Sequence, residues 1–385
     1  MGQLINRLVG CFTKGLETKR FDQTIGSAKI FRNFIRTSIL VFVIAAAGYS
    51  GYWLYARSVG ERIVLEWIDA RRNADYRIEH APVAMDGFPF LVRATLDAPL
   101  VASIAPKDAA GWTWRAGQIT VETLLWRLDQ FRIDIRGVQT VTLTGSGVSP
   151  GAANPQIHRF VGETFGVTRL RQGQPENVAI IARKFNWRGP DGATLLSGKN
   201  LSMWAVAPKK LPEIHTDPLF SVSINGADLT LPDGTTAPFG RHIKSLQGTA
   251  RVLGRVQLGA PEAAIEAWRR GGGTVNINNT HIIWGPLDMK ISGTLALDDQ
   301  ARPLGAFTAY IRGFTHVVDA LVVSGDIDYG AATMAKIGLG LLAKPAADGG
   351  PPVLSVPLTA QNGRLYAGPL KILNLPPLRL PVRLP

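Results

Sequence analysis

The sequence predicts a mainly β protein: an N-terminal transmembrane helix followed by a long curved antiparallel sheet, groove-like or sandwich-like, with a few short helices. Three observations predict this fold. An uncharged apolar stretch occupies residues 37–56, apolar and polar residues alternate beyond Tyr76, and Gly- and Pro-containing turns recur at short intervals. The composition, 46% hydrophobic and 18% charged, excludes a disordered chain.

Residues 37–56 are long enough to cross a bilayer. They form a run of 20 residues without a charged side chain, and a helix of that length extends about 30 Å, the thickness of a bilayer core. Tyr49, Tyr52, Trp53 and Tyr55 cluster near the C-terminal end of this run. Amphipathic aromatic rings favour the headgroup level, so this end is predicted to lie at the membrane interface.

The flanking charges predict the orientation of this helix. Residues 1–36 carry seven basic and two acidic side chains, which predicts a basic cytoplasmic tail and places residues 57–385 outside the cytoplasm. A cleaved signal peptide is the alternative, but the apolar run exceeds the usual signal length and no small-x-small cleavage site follows it. The single cysteine, Cys11, falls in the tail, so the exported part can form no internal disulfide.

The exported part divides into a first β-rich half, residues 57–160, and a second, residues 161–374, with a Pro-rich tail over residues 375–385. A leading helix is expected over Val59–Asn73, and the less regular stretch His158–Gln174 marks the division. Pro261–Arg270 opens with proline and acidic residues and ends on Arg269-Arg270-Gly271, the start and stop chemistry of a helix. Weaker helix signals cover Thr315–Val323 and Ala331–Ala343.

Strict alternation indicates strands with one apolar face and one polar face. The candidate ligand-contacting residues are the apolar members of two such strands. They are Phe131, Ile133 and Ile135 in one strand, and Leu287, Met289, Ile291 and Leu295 in the other.

The extent of the sheet predicts an uncovered apolar surface. About twelve strands spaced ~4.8 Å apart would form an apolar face of roughly 1,300 Å². Three helices of about 12 residues cover less than half of it. The remainder packs on a second sheet, curls onto itself or binds an apolar ligand. An open groove and a closed sandwich are both compatible with the sequence.

The sequence carries no recognisable catalytic motif. The six histidines are dispersed, and neither HExxH, GxSxG nor a Walker A loop is present, so we expect no enzyme activity, metal or cofactor. Asp319, Asp326 and Asp328 form the one acidic cluster and are the alternative candidates for chemistry, although solvated turn positions explain them better. Most of the tryptophans in strand-like contexts are expected in the core, with ligand stacking as the alternative: Trp112, Trp114, Trp126, Trp187, Trp204, Trp268 and Trp284.

The basic residues behind the net charge of +13 do not form a nucleic-acid-binding surface in the sequence pattern. Runs of basic residues do not exceed two, and no stripe of alternating basic and aromatic residues is present. We therefore expect no nucleic-acid partner. The mild basic excess of residues 57–385 indicates ordinary solubility with some attraction to anionic lipid headgroups.

An ordered series of short motifs resembles the domain-of-unknown-function 2125 family of alphaproteobacteria. The series comprises Gly87-Phe88-Pro89-Phe90, the strand Ile119 to Trp126, Trp268 to Gly273, Trp284 to Leu287, Gly293 to Asp298, and Arg302 to Gly305. A wider resemblance is to AsmA-like proteins, which have an inner-membrane helix and a periplasmic β-groove implicated in phospholipid transport. These resemblances imply an inner-membrane anchor with a periplasmic β-rich domain, and membrane phospholipid as the expected partner. A non-enzymatic envelope scaffold that binds a protein is the alternative.

Overall fold

The computed structural model describes residues 5–73, 76–103, 111–144, 155–235, 237–255, 261–346, 348–368 and 370–378. Four helices are present in these ranges: α1 (Ile5–Arg72), α2 (Pro261–Arg270), α3 (Phe314–Val323) and α4 (Tyr329–Leu342). The nineteen strands are β1 (Tyr76–Glu79), β2 (Ala84–Asp86), β3 (Leu91–Asp97), β4 (Leu100–Ser103), β5 (Gly111–Arg115), β6 (Gln118–Leu124), β7 (Arg127–Arg136), β8 (Gln139–Thr144), β9 (Gln156–Arg171), β10 (Gln174–Arg188), β11 (Thr194–Val206), β12 (Pro218–Thr230), β13 (His242–Leu253), β14 (Thr274–Trp284), β15 (Leu287–Leu297), β16 (Pro303–Arg312), β17 (Val353–Gln361), β18 (Arg364–Ala367) and β19 (Leu370–Asn374).

The predicted fold class is confirmed, and all nineteen strands belong to one antiparallel sheet. From β9 to β19 each strand pairs with its neighbour in the chain, which is the expected meander. The expectation of about twelve strands was too low. The closed-sandwich alternative is wrong, because the strands form one continuous open sheet in place of two packed ones.

The first eight strands form two ribbons that meet the same edge of β9. The ribbon β2–β3–β6–β7 reaches Thr164–Arg169, and the ribbon β1–β4–β5–β8 reaches Gln156–Phe160. Short breaks at residues 80–83, 98–99, 116–117 and 137–138 separate the two ribbons along the chain. The proposed division between residues 160 and 161 therefore falls inside a strand, and the stretch expected to be irregular is β9.

The apolar segment lies within the single long helix α1. The segment Arg32–Arg72 of α1 is long and apolar enough to cross a membrane. Only 6% of its most apolar stretch of 18 residues is buried. Helix α1 is unbroken from Ile5 to Arg72. Within the described residues it therefore includes the basic tail, residues 37–56 and the expected leading helix, which are not separate elements. The expected leading helix is thus a continuation of the apolar segment within α1.

The short helices lie close to their predicted positions. The bounds of α2 are those predicted from its proline start and arginine–glycine stop, and α3 and α4 match the two weaker signals to within a few residues. In the Pro-rich tail, residues 375–378 form no strand, and residues 379–385 lie outside the described residues.

Candidate functional site

One face of the sheet is apolar across almost its whole width. Residues paired directly across antiparallel strands project from the same face, so the strand register traces the surface. One unbroken row crosses twelve strands, about 50 Å at ~4.8 Å per strand. Its members are Leu96, Ile119, Ile135, Thr164, Ala182, Leu201, Gly226, Leu246, Ile282, Met289, Ile311 and Leu354.

Two further rows run beside this one on the same face. The first contains Ala94, Val121, Ile133, Gly166, Ile180, Met203, Ile224 and Gly248. The second contains Phe131, Thr168, Val178, Ala205, Val222, Ala250, Ile277, Gly293, Phe307, Leu358 and Ala367. The only polar side chains in the three rows are threonines.

All seven candidate residues lie on this apolar face. Phe131, Ile133 and Ile135 each occupy a different row on β7. On β15, Leu287, Met289, Ile291 and Leu295 share the face by their even spacing, and Met289 pairs with Ile311 in the first row. Leu287 is buried and the other six are half-buried. The two strands lie far apart in the sheet, so these residues mark two regions of one surface.

The opposite face of the sheet carries ion pairs and is mainly polar, apart from Ala179, Ile181 and Trp204 on β10 and β11. Arg93 of β3 pairs with Glu122 at 2.5 Å and with Asp86 at 3.2 Å, and the hydrogen bond to Glu122 raises the pKa of Arg93. Arg132 of β7 pairs with Asp134 at 2.9 Å. Because the two faces differ in this way, water solvates one face and the other requires apolar cover.

Helices cover the apolar face at its two ends. At the first strands, Trp53 of α1 packs on Val92 and Leu125, and Ile68 packs on Ile78 and Leu96. Near the last strands, α3 contacts β15 and α4 contacts β17.

Helix α2 covers an apolar cavity at the ends of strands β12, β13, β14 and β15. The indole of Trp268 donates a hydrogen bond to the carbonyl of Leu253 at 2.7 Å and anchors the helix. The cavity measures about 390 Å³, within the range of small-ligand sites. Its lining includes Phe220, Val252, Ala264, Ile265, Val275 and Leu295.

Between these helices the apolar face is open. On β10 and β11, Val178, Ile180 and Met203 are 39%, 49% and 45% exposed. The sequence analysis missed all three. Apolar residues also occupy intervening positions, such as Ala179, Ile181 and Trp204, so the alternation that marks β7 and β15 is hidden here.

The acidic cluster is divided among separate local roles. Asp319 pairs with Lys336, Asp326 accepts a hydrogen bond from Ser324 at 2.6 Å, and Asp328 caps α4 by accepting from the amide of Ala331 at 2.8 Å. Each carboxylate thus has a structural partner. Among the described residues, no group of three metal-ligating side chains is present.

The expectation that the tryptophans form the core is wrong for three of them. Trp126, Trp187 and Trp204 are exposed, whereas Trp268 is buried under α2. Trp112, Trp114 and Trp284 are half-buried.

Comparison with known proteins yields one family assignment. A family model described as "Uncharacterized protein conserved in bacteria (DUF2125)" matches residues 53–376, which is most of the chain. No curated protein matches the sequence.

Proposed function

The chain belongs to the DUF2125 family of uncharacterized bacterial proteins, and we propose that it binds a membrane lipid by its acyl chain on the apolar face of its sheet. The observation that carries this proposal is the open stretch of that face on β10 and β11. Monomeric soluble proteins rarely leave so continuous an apolar surface uncovered, and such surfaces mark ligand or interaction sites.

The energetics favour an acyl chain as the occupant. Burying about 14 CH₂ groups at ~0.8 kcal/mol each yields roughly 11 kcal/mol before ordering costs. A row of apolar side chains with few hydrogen-bonding groups suits a long, unbranched and featureless ligand. The ion pairs lie on the other face, so a chain on the apolar face desolvates no charged group there.

The proposed location is the bacterial inner membrane, with the N-terminus in the cytoplasm and the sheet in the periplasm. The basic excess before residue 37 supports this orientation. It places the apolar face beside a supply of phospholipid. We assign the protein no catalytic step and no cofactor, and its role is to hold or guide lipid in the cell envelope.

Photo-crosslinking in cells tests the proposal with adjacent residues on opposite faces. Met203 and Trp204 are 45% and 40% exposed and neighbour each other on β11, so they project to opposite sides of the sheet. A benzophenone amino acid at position 203 should yield adducts that mass spectrometry identifies as phospholipid, and the same group at position 204 should not.

A different adduct pattern would contradict lipid binding. Equal lipid adducts at both positions would indicate contact that does not depend on the face. A single dominant protein adduct at position 203, without lipid, would favour the envelope-scaffold alternative, in which the open face binds a partner.

A further inference from the structure

Two neighbouring turns at one end of the sheet carry exposed aromatic side chains. The turn between β2 and β3 presents Phe88 and Phe90, 56% and 62% exposed, and the turn between β6 and β7 presents Trp126, 62% exposed. The rings of Phe90 and Trp126 lie 6.4 Å apart, centroid to centroid. We call residues 87–90 and 125–126 the aromatic turns.

The aromatic turns are hydrogen-bonded to the apolar part of α1. Tyr49 donates from its hydroxyl to the carbonyl of Pro89 at 2.6 Å, and Tyr52 donates to the carbonyl of Leu125 at 3.2 Å. The indole of Trp53 donates to the carbonyl of Leu91 at 2.8 Å, and its ring contacts Phe88 edge-on at 5.5 Å. These three residues, spaced i, i+3 and i+4 and therefore on one face of the helix, hold the turns and the start of β3 at one level of α1.

That level lies inside the uncharged stretch. Arg57 is the first charged residue after it, and Tyr49 precedes Arg57 by eight residues, about 12 Å along the helix. Residues 87–92 and 123–126 contain no charged side chain. Of the charges that flank these segments, Asp86, Arg93 and Glu122 pair with one another at the base of the turns, and the exposed Arg127 directly follows Trp126.

The strands next to α1 run along the helix axis. Trp53 packs near the turns, on Leu125 and on Val92 of β3, whereas Ile68 packs on Leu96, four residues further along β3, and on Ile78 of β1. The apolar rows cross the strands, so next to α1 they run across the helix axis.

We propose that the aromatic turns insert into the bilayer interface beside α1. This end of the sheet then lies on the membrane, and the apolar rows start at α1 and extend parallel to the membrane surface. The inference rests on the proposed membrane anchor and deepens it. Phenylalanine and tryptophan favour the boundary between headgroups and acyl chains, and an aromatic tip above a charged base matches the polarity profile of that boundary. In this orientation, lipid from the membrane reaches the apolar face at the first strands of the sheet.

Depth-dependent fluorescence quenching of the full chain tests the insertion. With Cys11 replaced by serine, single cysteines at Phe90, Ala46 or Val323 carry an NBD label, and the protein is reconstituted into phosphatidylglycerol–phosphatidylcholine vesicles containing acyl-chain doxyl lipids. Ala46 lies in the apolar stretch of α1, and Val323 is 88% exposed on α3, far from α1 in the sheet. Labels at positions 90 and 46 should lose most of their fluorescence, and the label at position 323 should keep it.

The outcomes separate the insertion from the anchor. Quenching at position 46 without quenching at position 90 overturns the insertion and leaves the anchor intact. An unquenched label at position 46 removes the anchor and the insertion with it. Equal quenching at position 323 indicates indiscriminate contact with lipid and also overturns the proposal. A label at position 126 repeats the measurement at the second turn, and circular dichroism of each variant verifies the fold.

Discussion

Gly162 lies where β9 passes from pairing with β7 to pairing with β8, and the chain has no room for a side chain there. A Cβ atom on Gly162 would lie 2.7 Å from the Cβ of Phe185. Phe185 is 4% exposed, stacks on Phe160 at 5.7 Å and packs with Ala182 and Leu229. The absence of a side chain at Gly162 therefore lets the cluster around Phe185 pack closely against β9, at the point between its pairings with the two ribbons.

The variant Gly162→Ala should lower the free energy of unfolding by about 1–3 kcal/mol, because the added methyl displaces Phe185. Gly338→Ala is the matched control. No atom lies within 4 Å of the added Cβ on helix α4, so the substitution should be neutral or stabilise by up to ~1 kcal/mol. Urea unfolding of the detergent-solubilised protein measures both. Equal effects of the two substitutions would contradict the packing argument.

Glu266 gives α2 a pH-dependent contribution to stability. Its carboxylate accepts from Arg269 at 2.7 Å and from Arg270 at 2.6 Å, and these hydrogen bonds lower its pKa from 4.5 to about 2. A carboxyl whose pKa is lower in the folded state stabilises the fold above its unfolded pKa. That contribution is lost as the pH falls towards the folded pKa.

Glu266→Gln should therefore lower Tm at pH 7, and the difference from wild type should shrink as the pH falls from about 5 to about 2. Thermal unfolding followed by circular dichroism over this range measures the effect. A difference that does not change with pH would show that the substitution acts through packing.

At the scale of elements, α1 is both an apolar helix and part of the folded core. Trp53 and Ile68 are 7% and 1% exposed, each within a separate hydrophobic cluster against the first strands. The family match also begins at residue 53. A fragment starting at residue 57 would keep Ile68 and lose Trp53, so it would lack one of the two buried hydrophobic contacts between helix and sheet, together with the hydrogen bonds from Tyr49 and Tyr52.

Trp53→Ala should destabilise the docking of α1 on the sheet by about 3–5 kcal/mol, since it removes a buried indole and its hydrogen bond to Leu91. Tyr55→Ala is the control, because Tyr55 is 67% exposed on the same turn region of α1. Limited proteolysis between α1 and β3 in detergent measures the loosening. Similar cleavage rates in both variants would show that Trp53 does not hold the helix in place.

At the scale of the molecule, two faces of different polarity extend over one sheet that packs against α1 at its first strands. The apolar face is covered by α1 at one end and by α2, α3 and α4 over later strands, and it is open between them on β10 and β11. The proposed lipid binding requires the open apolar face to lie on the side of the membrane where its ligand is available. The orientation of α1 is therefore the property on which the proposed function depends.

A fluorescent reporter that matures only in the cytoplasm, fused after Pro385, should be silent, whereas the same reporter fused before Met1 should be bright. The expected result follows from the basic excess of residues 1–36. Immunoblotting of both fusions controls for abundance. A bright C-terminal fusion at normal abundance would reverse the assigned topology.

The sequence by itself determined the local features: the uncharged stretch, the bounds of α2 and the shared face of Phe131, Ile133 and Ile135. Side-chain alternation and helix capping depend on neighbouring residues, so they are readable from the chain. Only the tertiary structure decided that the strands form one open sheet, that helices leave Ile180 and Met203 exposed, and that the turn at Pro89 meets Tyr49 forty residues away. These features depend on register and on contacts between distant segments, which the local pattern of residues does not contain.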